Sequence, residues 1–310
     1  MKNIFDKKHL PFGNAFAIKD LETIKSFNNF KFSIIDIIED QSIQSKFLNK
    51  FTNWVLSTKN NKVLGLEDFK FSCFSNATTE SFDKFYLKYS NKRFRFFKNE
   101  YVYHKLNCRN QNFKWKFLEE DDLCRNDAVI VSLPFSDTGD KHQLIDHIFD
   151  QCNNLQIPVL IDCTYFGTCA NIEFDFRHSC IKEIVFSLSK SFYSAHIRIG
   201  VRYSKDDDDD LLFVLNKMNY TNRISLSIGL MLINNFSPDY IFDKYRQRQI
   251  DYCEILGVNP SNTVLFGIGN DYWKEYTRNG ETNRLSFHKF LAEDNTDLIK
   301  DIFNDKIKNN

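Results

Sequence analysis

The sequence predicts an α/β protein. Its three-layer large domain has helices on both faces of a mainly parallel central sheet, and a smaller α+β domain accompanies it. Strand-like and helix-like segments alternate from about residue 70 to residue 205, which is typical of parallel sheets built from strand–helix–strand units. The apolar run at residues 128–133 has the continuous hydrophobicity of a strand covered on both faces. We therefore expect functional residues at the carboxyl ends of the strands.

Composition and charge limit the class of protein. The chain has 310 residues, with 41 Lys+Arg and 41 Asp+Glu, so no overall field favours nucleic acid or an anionic membrane. The eight cysteines form neither a CxxC pair nor a zinc-ligand spacing, and no metal site is expected. The sequence shows no signal-peptide-like segment and no apolar run of membrane-spanning length. We expect a cytoplasmic protein in a reducing compartment.

The predicted domain organisation has three parts. Residues 1–60 form an N-terminal arm and part of the small domain, residues 61–215 the large domain, and residues 216–310 the C-terminal helices and the rest of the small domain. A turn is expected at residues 9–14. The five aspartates at 206–210 predict a solvated loop that ends the large domain. Outside the large domain, periodicity predicts helices at residues 20–27, 41–57, 211–218, 224–236, 239–256 and 290–308, and strands at 264–268 and 284–287.

Within the large domain, the pattern predicts a helix at residues 141–152 and strands at 69–74, 93–97, 113–118, 128–133, 159–161, 184–186 and 199–203. The first of these strands runs into a small polar turn, Ala77-Thr78-Thr79, and then into a helical pattern. A helix N-terminus in this position binds anions because its first N–H groups are free. The alternative is an ordinary N-cap by Ser75, Thr78 or Thr79.

Hydroxyl groups flank one lysine after the strand at residues 184–186. The segment reads Ser187-Leu188-Ser189-Lys190, and Arg198 follows eight residues later. A lysine amine with nearby hydroxyls and a guanidinium fits a covalent carbonyl cofactor that carries a phosphate. The alternative is a solvated lysine that happens to follow a strand.

Three motifs, in this order, resemble the fold type I pyridoxal-phosphate (PLP) enzymes, specifically the class I/II aminotransferases. They are Asp162-x-x-Tyr165, Ser187-x-Ser189-Lys190 and Arg198-Ile199-Gly200. The resemblance covers residues 70–205 well and the remainder through Arg284 moderately. It implies a PLP-dependent transferase that forms homodimers and acts on a small amino acid or amine.

The resemblance also implies roles for particular residues. Lys190 would form the Schiff base with PLP and, once freed by substrate, would move the proton at Cα. Asp162 would pair with the pyridine nitrogen, and Tyr165 would donate to the cofactor's phenolic oxygen. The residues implied at the phosphate are Ala77, Thr78, Ser187 and Arg198, with Ser189 a weaker candidate.

The remaining implied contacts concern the cofactor ring and the substrate. Tyr101 and Tyr103 compete to cover one face of the pyridine, and Tyr101 is slightly preferred. Arg284, in Asn-Arg-Leu-Ser-Phe, would clamp the substrate α-carboxylate with two parallel N–H donors; the alternative is a surface salt bridge. Gly13 would approach the same carboxylate through its backbone.

One departure concerns the turn at residues 136–139, where Ser136-Asp137-Thr138-Gly139 replaces the family's usual Asn-Pro-Thr-Gly. Ser136 is shorter than asparagine and would reach the phenolic oxygen through water, which would alter the pKa of the Schiff base. Three hypotheses follow. They are transamination of an α-amino acid or related amine, another PLP reaction such as decarboxylation or β/γ-elimination or replacement, and a non-catalytic family member.

Overall fold

Residues 10–207, 210–278 and 282–308 are described by a computed structural model of the protein. The strands, in chain order, are β1 (Lys62–Leu64), β2 (Phe71–Ser75), β3 (Arg93–Phe96), β4 (Trp115–Phe117), β5 (Asp127–Ser132), β6 (Val159–Asp162), β7 (Glu173–Asp175), β8 (Ile181–Ser187), β9 (Gly200–Ser204), β10 (Asn259–Pro260), β11 (Phe266–Gly269), β12 (Thr277–Arg278) and β13 (Thr282–Ser286). The α-helices are α1 (Leu21–Asn29), α2 (Ile34–Glu39), α3 (Ile43–Leu56), α4 (Ala77–Lys88), α5 (Val102–Asn110), α6 (Ile145–Leu155), α7 (Leu211–Lys217), α8 (Arg223–Asn235), α9 (Tyr240–Leu256) and α10 (Thr296–Lys308).

The central sheet has the strand order β2-β9-β8-β6-β5-β3-β4. Strand β9 is antiparallel to both of its neighbours, β2 and β8, while the other neighbouring strands pair in parallel. All strands of this sheet except β9 therefore point the same way, and their carboxyl ends meet at one edge. The predicted mainly parallel α/β sheet is confirmed.

Alternation along β5 shows how the sheet acquires its two covering layers. Ala128 and Ile130 face a cluster formed with Phe82 and Phe85 of α4. The intervening Val129 belongs instead to the larger core on the opposite face, to which α3, α6, α8 and α9 contribute. Because successive side chains of a strand point to opposite faces, a continuous apolar run supplies both layers at once.

A second, antiparallel sheet lies in the C-terminal part of the chain, with the order β10-β11-β13-β12. It carries Arg284 on β13, where Ile268 of β11 is its register partner. The division of the chain at residues 60 and 215 remains a prediction. Two predicted features fall partly outside the described residues: the turn at His9 and the aspartate loop at Asp208–Asp209.

Several predicted elements need correction. The last helix begins at Thr296 rather than at Phe290, because Phe290 and Leu291 instead turn back on Phe287, whose carbonyl accepts both of their backbone N–H groups. The helix expected from residue 141 begins at Ile145. Helices α2 and α5 and the short parallel pair β1–β7 were not predicted. These segments are too short for a clear period.

In the described part of the chain, no helix is long and apolar enough to cross a membrane.

Candidate active site

The register of the sheet assembles polar residues at the carboxyl edge. Ser132, the last residue of β5, pairs with Asp162, the last residue of β6. Ser187, at the end of β8, pairs with Gly200 at the start of β9, and Gly200 also pairs with Ser75 at the end of β2. Residues far apart in sequence therefore meet along one edge, as expected for a parallel sheet.

Asp162 is a buried carboxylate, and one of its two oxygens accepts hydrogen bonds from the described residues. Its Oδ1 accepts the Thr164 backbone N–H at 3.0 Å and the Thr164 hydroxyl at 2.5 Å. No hydrogen bond among the described residues reaches its Oδ2. Burial raises the pKa of Asp162 to about 6, against the lowering effect of the Thr164 hydrogen bonds and of the Lys190 charge. The site therefore holds a carboxylate that would gain from a positive partner.

Lys190 lies in the turn after β8, with its amine directed into the site. The half-buried side chain donates from Nζ to the Ala15 carbonyl, and Nζ lies 5.5 Å from the centre of the Phe16 ring. Burial, with a smaller contribution from the Arg284 charge, lowers the pKa of Lys190 to about 8, and the Asp162 charge opposes the shift. A lysine with a depressed pKa and a nearby carboxylate is suited to nucleophilic attack on a carbonyl.

An anion cradle forms where α4 begins, next to β9. The N-cap residue of α4, Asn76, makes no side-chain capping bond, so the first N–H groups of the helix lack that partner. Arg198 donates to the Thr79 hydroxyl at 2.8 Å and to the Asn76 carbonyl at 3.2 Å. Among the described residues it takes part in no ion pair. An uncapped helix start beside an uncompensated guanidinium fits a phosphate.

The backbone at this cradle allows a close approach that a side chain would prevent. A Cβ built on Gly200 would lie 2.8 Å from Ala77 Cα and 2.9 Å from Ser75 Oγ. Ala77 and Arg198 both adopt left-handed backbone conformations, with φ of 60° and 63°. Such conformations are uncommon for residues other than glycine and tend to occur at functional sites.

Ser187 and Ser189 complete the same edge. Their hydroxyl oxygens lie 2.7 Å apart, the Ser187 hydroxyl donates to the Ile199 carbonyl at 3.1 Å, and the Ser189 backbone N–H donates to Ser187 Oγ at 3.1 Å. The Thr164 hydroxyl oxygen, whose proton is directed to Asp162, lies 3.4 Å from Thr78 Oγ1. Thr78 thus links the helix start to the Asp162 side of the site.

Arg284 enters from the smaller sheet. Its guanidinium donates to the Ser136 carbonyl at 2.7 Å and packs 4.2 Å from the centre of the Phe266 ring. Burial lowers the pKa of Arg284, the Arg278 charge adds to this, and Tyr165 and Asp137 oppose it. The guanidinium nevertheless remains protonated, so Arg284 is a cation held close to Tyr165 and within the field of Lys190.

The two candidate ring-covering tyrosines differ in what holds their side chains. Tyr103 donates its hydroxyl to Asp83 at 2.5 Å. Tyr101 stacks on Tyr103 with ring centres 5.9 Å apart and an interplanar angle of 13°. Burial raises the pKa of Tyr101, and the charges of Asp162 and Tyr165 add to this rise. The Tyr101 side chain therefore faces the polar edge of the sheet.

The N-terminal segment closes the site on the side of Arg284. Gly13 is buried in a turn in which its N–H donates to the Leu10 carbonyl at 3.1 Å. The adjacent Phe12 carbonyl accepts the Ser286 N–H at 2.9 Å, two residues after Arg284. The residue that precedes Gly13 therefore bonds the strand that carries Arg284.

Sequence reasoning missed three groups at this site. Glu100 is buried and bonded to Ser132, and its only signal was an acidic residue just before Tyr101. Arg278 donates to the same Ser136 carbonyl as Arg284, at 3.0 Å, and lies 3.3 Å from the Asp137 carboxylate. Ala15 covers the Lys190 amine. No motif marks Arg278 or Ala15 in the sequence.

The sequence matches no protein-family model and no curated protein. Solved structures do share the fold. An aminotransferase of Staphylococcus aureus has a TM-score of 0.68 at 12% identity, covering 97% of this chain and 94% of that chain. The histidinol-phosphate aminotransferase of Clostridium acetobutylicum has a TM-score of 0.62 at 15% identity, covering 95% and 98%. A PLP-bound structure from Clostridium difficile 630 has a TM-score of 0.67 at 12% identity, covering 97% and 92%.

The chain therefore has the fold of the class I/II aminotransferases, fold type I among PLP enzymes. The likeness extends over nearly the full length of each chain, so it includes the smaller sheet as well as the large domain. This confirms the predicted three-layer architecture.

Proposed function

We propose that the protein is a PLP-dependent aminotransferase that acts on an α-amino acid or related amine, with a 2-oxo acid as acceptor. The observation that carries the proposal is the amine of Lys190, half-buried, with its pKa lowered to about 8 by burial, and within the field of Asp162 and Arg284. PLP supplies a carbonyl for covalent attachment and an aromatic ring that accepts electrons from Cα.

The residues present fit PLP at each of its polar groups. Asp162 has a raised pKa, and its Oδ2 accepts no hydrogen bond from the described residues. It would therefore hold a proton at the pyridine nitrogen, where positive charge relieves the cost of its burial. Arg198 and the uncapped start of α4 would bind the phosphate. Ser187 and Ser189 supply hydroxyl donors beside that cradle.

The position of the substrate is inferred from Arg284, the arginine that has no role at the phosphate. Arg284 would bind the α-carboxylate, and Gly13 borders the same space. Lys190, once its amine is free, would take the proton from Cα and return it at the cofactor's exocyclic carbon. Tyr165, buried close to Arg284, would donate to the phenolic oxygen. Ser136 contacts both arginines through its carbonyl, and its short side chain would reach the phenolic oxygen through water.

The test compares wild type with Lys190→Ala, and with Lys182→Ala, on the preceding strand β8, as a matched control. Purified wild-type protein with PLP should be yellow and should become permanently labelled after borohydride treatment. Lys190→Ala should lose the label and at least about 10³-fold of amino-group transfer, whereas Lys182→Ala should retain both. Covalent labelling that persists in Lys190→Ala would refute the assignment of the amine.

A panel of amino acids then separates the reaction classes. Transamination converts the bound cofactor to pyridoxamine phosphate and releases a 2-oxo acid. Release of carbon dioxide, or of ammonia without pyridoxamine phosphate, would instead establish decarboxylation or elimination. Failure of the wild-type protein to take up PLP would establish a non-catalytic member of this fold.

We also propose a cytoplasmic homodimer. Ile34, Ile35 and Ile38 leave an exposed apolar face on α2, which supports a contact between subunits. All eight cysteines are free, which agrees with a reducing compartment. Light scattering of the purified protein measures the subunit number directly; a monomeric mass at micromolar concentration would contradict the dimer.

A further inference from the structure

Glu100 is a buried carboxylate without a counter-charge in the part of the chain that the structure describes. Its side chain is 4% exposed, and no ion pair among the described residues includes it. Burying a charged group without a counter-charge is costly, and such groups persist where hydrogen bonds fix them in position. The groups that donate hydrogen bonds to Glu100 therefore indicate which parts of the structure it holds together.

Both oxygens of this carboxylate are used, and they join two separate elements. Oε1 accepts the Ser132 backbone N–H at 2.7 Å, and Oε2 accepts the Ser132 hydroxyl. Oε2 also accepts the backbone N–H of Tyr101 at 3.1 Å. Glu100 thus ties Tyr101, the N-cap residue of α5, to the last residue of β5.

The end of β5 is also the place at which Asp162 is fixed. Ser132 is the register partner of Asp162, and the next residue, Leu133, donates its N–H to the Asp162 carbonyl at 3.0 Å. The Asp162 charge also raises the pKa of Glu100, after burial itself. The carboxylate therefore sets the distance between the backbone of Tyr101 and the strand pair that carries Asp162.

We propose that Glu100 is a positioning residue that holds Tyr101 over the plane in which the PLP ring would bind above Asp162. This inference rests on the proposed function. The Tyr101 side chain makes no hydrogen bond among the described residues; its ring stacks on Tyr103 and meets His104 edge-on, with those two ring centres 6.1 Å apart. The hydrogen bond from the Tyr101 backbone N–H to Glu100 therefore fixes the backbone position from which the Tyr101 ring extends.

The substitution Glu100→Gln tests this selectively. An amide has one acceptor oxygen and one NH2 donor. If the oxygen accepts from Ser132 N, the NH2 faces the Ser132 hydroxyl, which can accept, and the Tyr101 N–H, which cannot. The variant thus keeps the link to β5 and loses the link to Tyr101. We expect PLP affinity to fall about tenfold, as for one lost hydrogen bond at a buried carboxylate, with a changed visible circular dichroism band.

Ser132→Ala is the matched control, because it removes one donor and keeps the Tyr101 bond. It should keep PLP affinity within about twofold. A double-mutant cycle with Tyr101→Leu gives the decisive measurement. Glu100→Gln should weaken PLP binding in the wild-type background and have less than about a twofold effect when Tyr101 is already leucine.

The outcomes are distinct. Equal losses in both backgrounds, or equal losses for Glu100→Gln and Ser132→Ala, would show that Glu100 only stabilises the fold, and would overturn the inference while leaving the proposed function intact. Wild-type protein that binds no PLP would refute the proposed function and this inference with it. Should Glu100→Gln fail to fold, Glu100→Asp takes its place. It keeps the charge but is one methylene too short to bridge Ser132 and Tyr101, and the same tenfold loss is expected.

Discussion

Two buried aspartates stand at opposite ends of neighbouring strands and have opposite environments. Asp127 opens β5, where burial alone would raise its pKa, but hydrogen bonds from Arg93 and the Cys124 backbone and the charge of Arg95 outweigh burial, so the pKa is lowered. Asp162 closes β6, and burial raises its pKa to about 6. Asp127, at the amino-terminal edge, is thus paired with arginines, whereas Asp162, at the carboxyl edge, forms no ion pair with the described residues.

The physical reason lies in what each edge provides. At the amino-terminal edge, Arg93 Nε lies 2.6 Å from Asp127 Oδ1, and the fully buried Arg95 Nη1 lies 3.0 Å from Oδ2. At the carboxyl edge, the hydrogen bonds that Asp162 accepts from the described residues come from the N–H and hydroxyl of Thr164 alone. A satisfied buried ion pair is a structural feature, whereas buried charges without partners indicate a site that awaits a ligand.

The largest expected effect separates the two aspartates by function. Asp162→Asn should lower amino-group transfer by about 10³-fold, because it removes the charge that would hold the proton at the pyridine nitrogen. Asp127→Asn, the matched control at the other edge, should retain PLP binding and turnover in the folded protein. Steady-state rates on PLP-saturated protein give the comparison, and equal losses would abolish the distinction between the edges.

Substitution of the same two aspartates should have opposite effects on the free energy of unfolding. Asp127→Asn breaks a buried pair and should lower the free energy of unfolding by about 3–5 kcal/mol. In the PLP-free protein, Asp162→Asn should raise it by about 1–3 kcal/mol at pH 7, because the native carboxylate is penalised as pH rises from its unfolded pKa of about 4 to its folded pKa of about 6. Urea unfolding at pH 4 and pH 7 checks this, and the gain should be absent at pH 4.

A smaller effect is expected at the phosphate cradle. Arg198→Gln should weaken PLP binding by about 10- to 100-fold, since hydrogen bonds to a charged group contribute about 1.5–3 kcal/mol. Because Arg198 has no carboxylate partner in the described chain, the unfolding free energy should hardly change. Arg177→Gln, at an exposed pair with Asp175, serves as the control. A large loss of stability in Arg198→Gln would indicate a structural role instead.

The mildest prediction concerns pH. Because the folded protein lowers the pKa of Lys190 to about 8, the neutral amine becomes available over a lower pH range than for an ordinary lysine with a pKa near 10.4. The rate of PLP attachment should therefore rise with pH about a midpoint near 8. Stopped-flow absorbance from pH 6 to pH 10 measures it. A midpoint near 10 would mean that burial does not act on this amine.

Much of the architecture could be predicted from periodicity. The continuous apolar run that became β5 and the alternation of strands and helices were sufficient to predict the parallel sheet. A strand covered on both faces needs apolar side chains at successive positions, and this gives it a recognisable sequence pattern. The helix expected at residue 290 was wrong because the amphipathic pattern continued through buried turn residues such as Leu291. Periodicity reports burial and does not distinguish a helix from a packed turn.

For the site, the sequence by itself determined the order and spacing of Asp162, Tyr165, Lys190 and Arg198, because Asp162 closes β6, Tyr165 and Lys190 follow strands, and Arg198 precedes β9, all at one sheet edge. Only the tertiary structure decided that Glu100 bonds Ser132 and that Ala15 covers the Lys190 amine. Contacts of this kind join segments between 32 and 175 residues apart. Local pattern contains no information about which distant backbone group a side chain will meet; burial and register decide that once the sheet has formed.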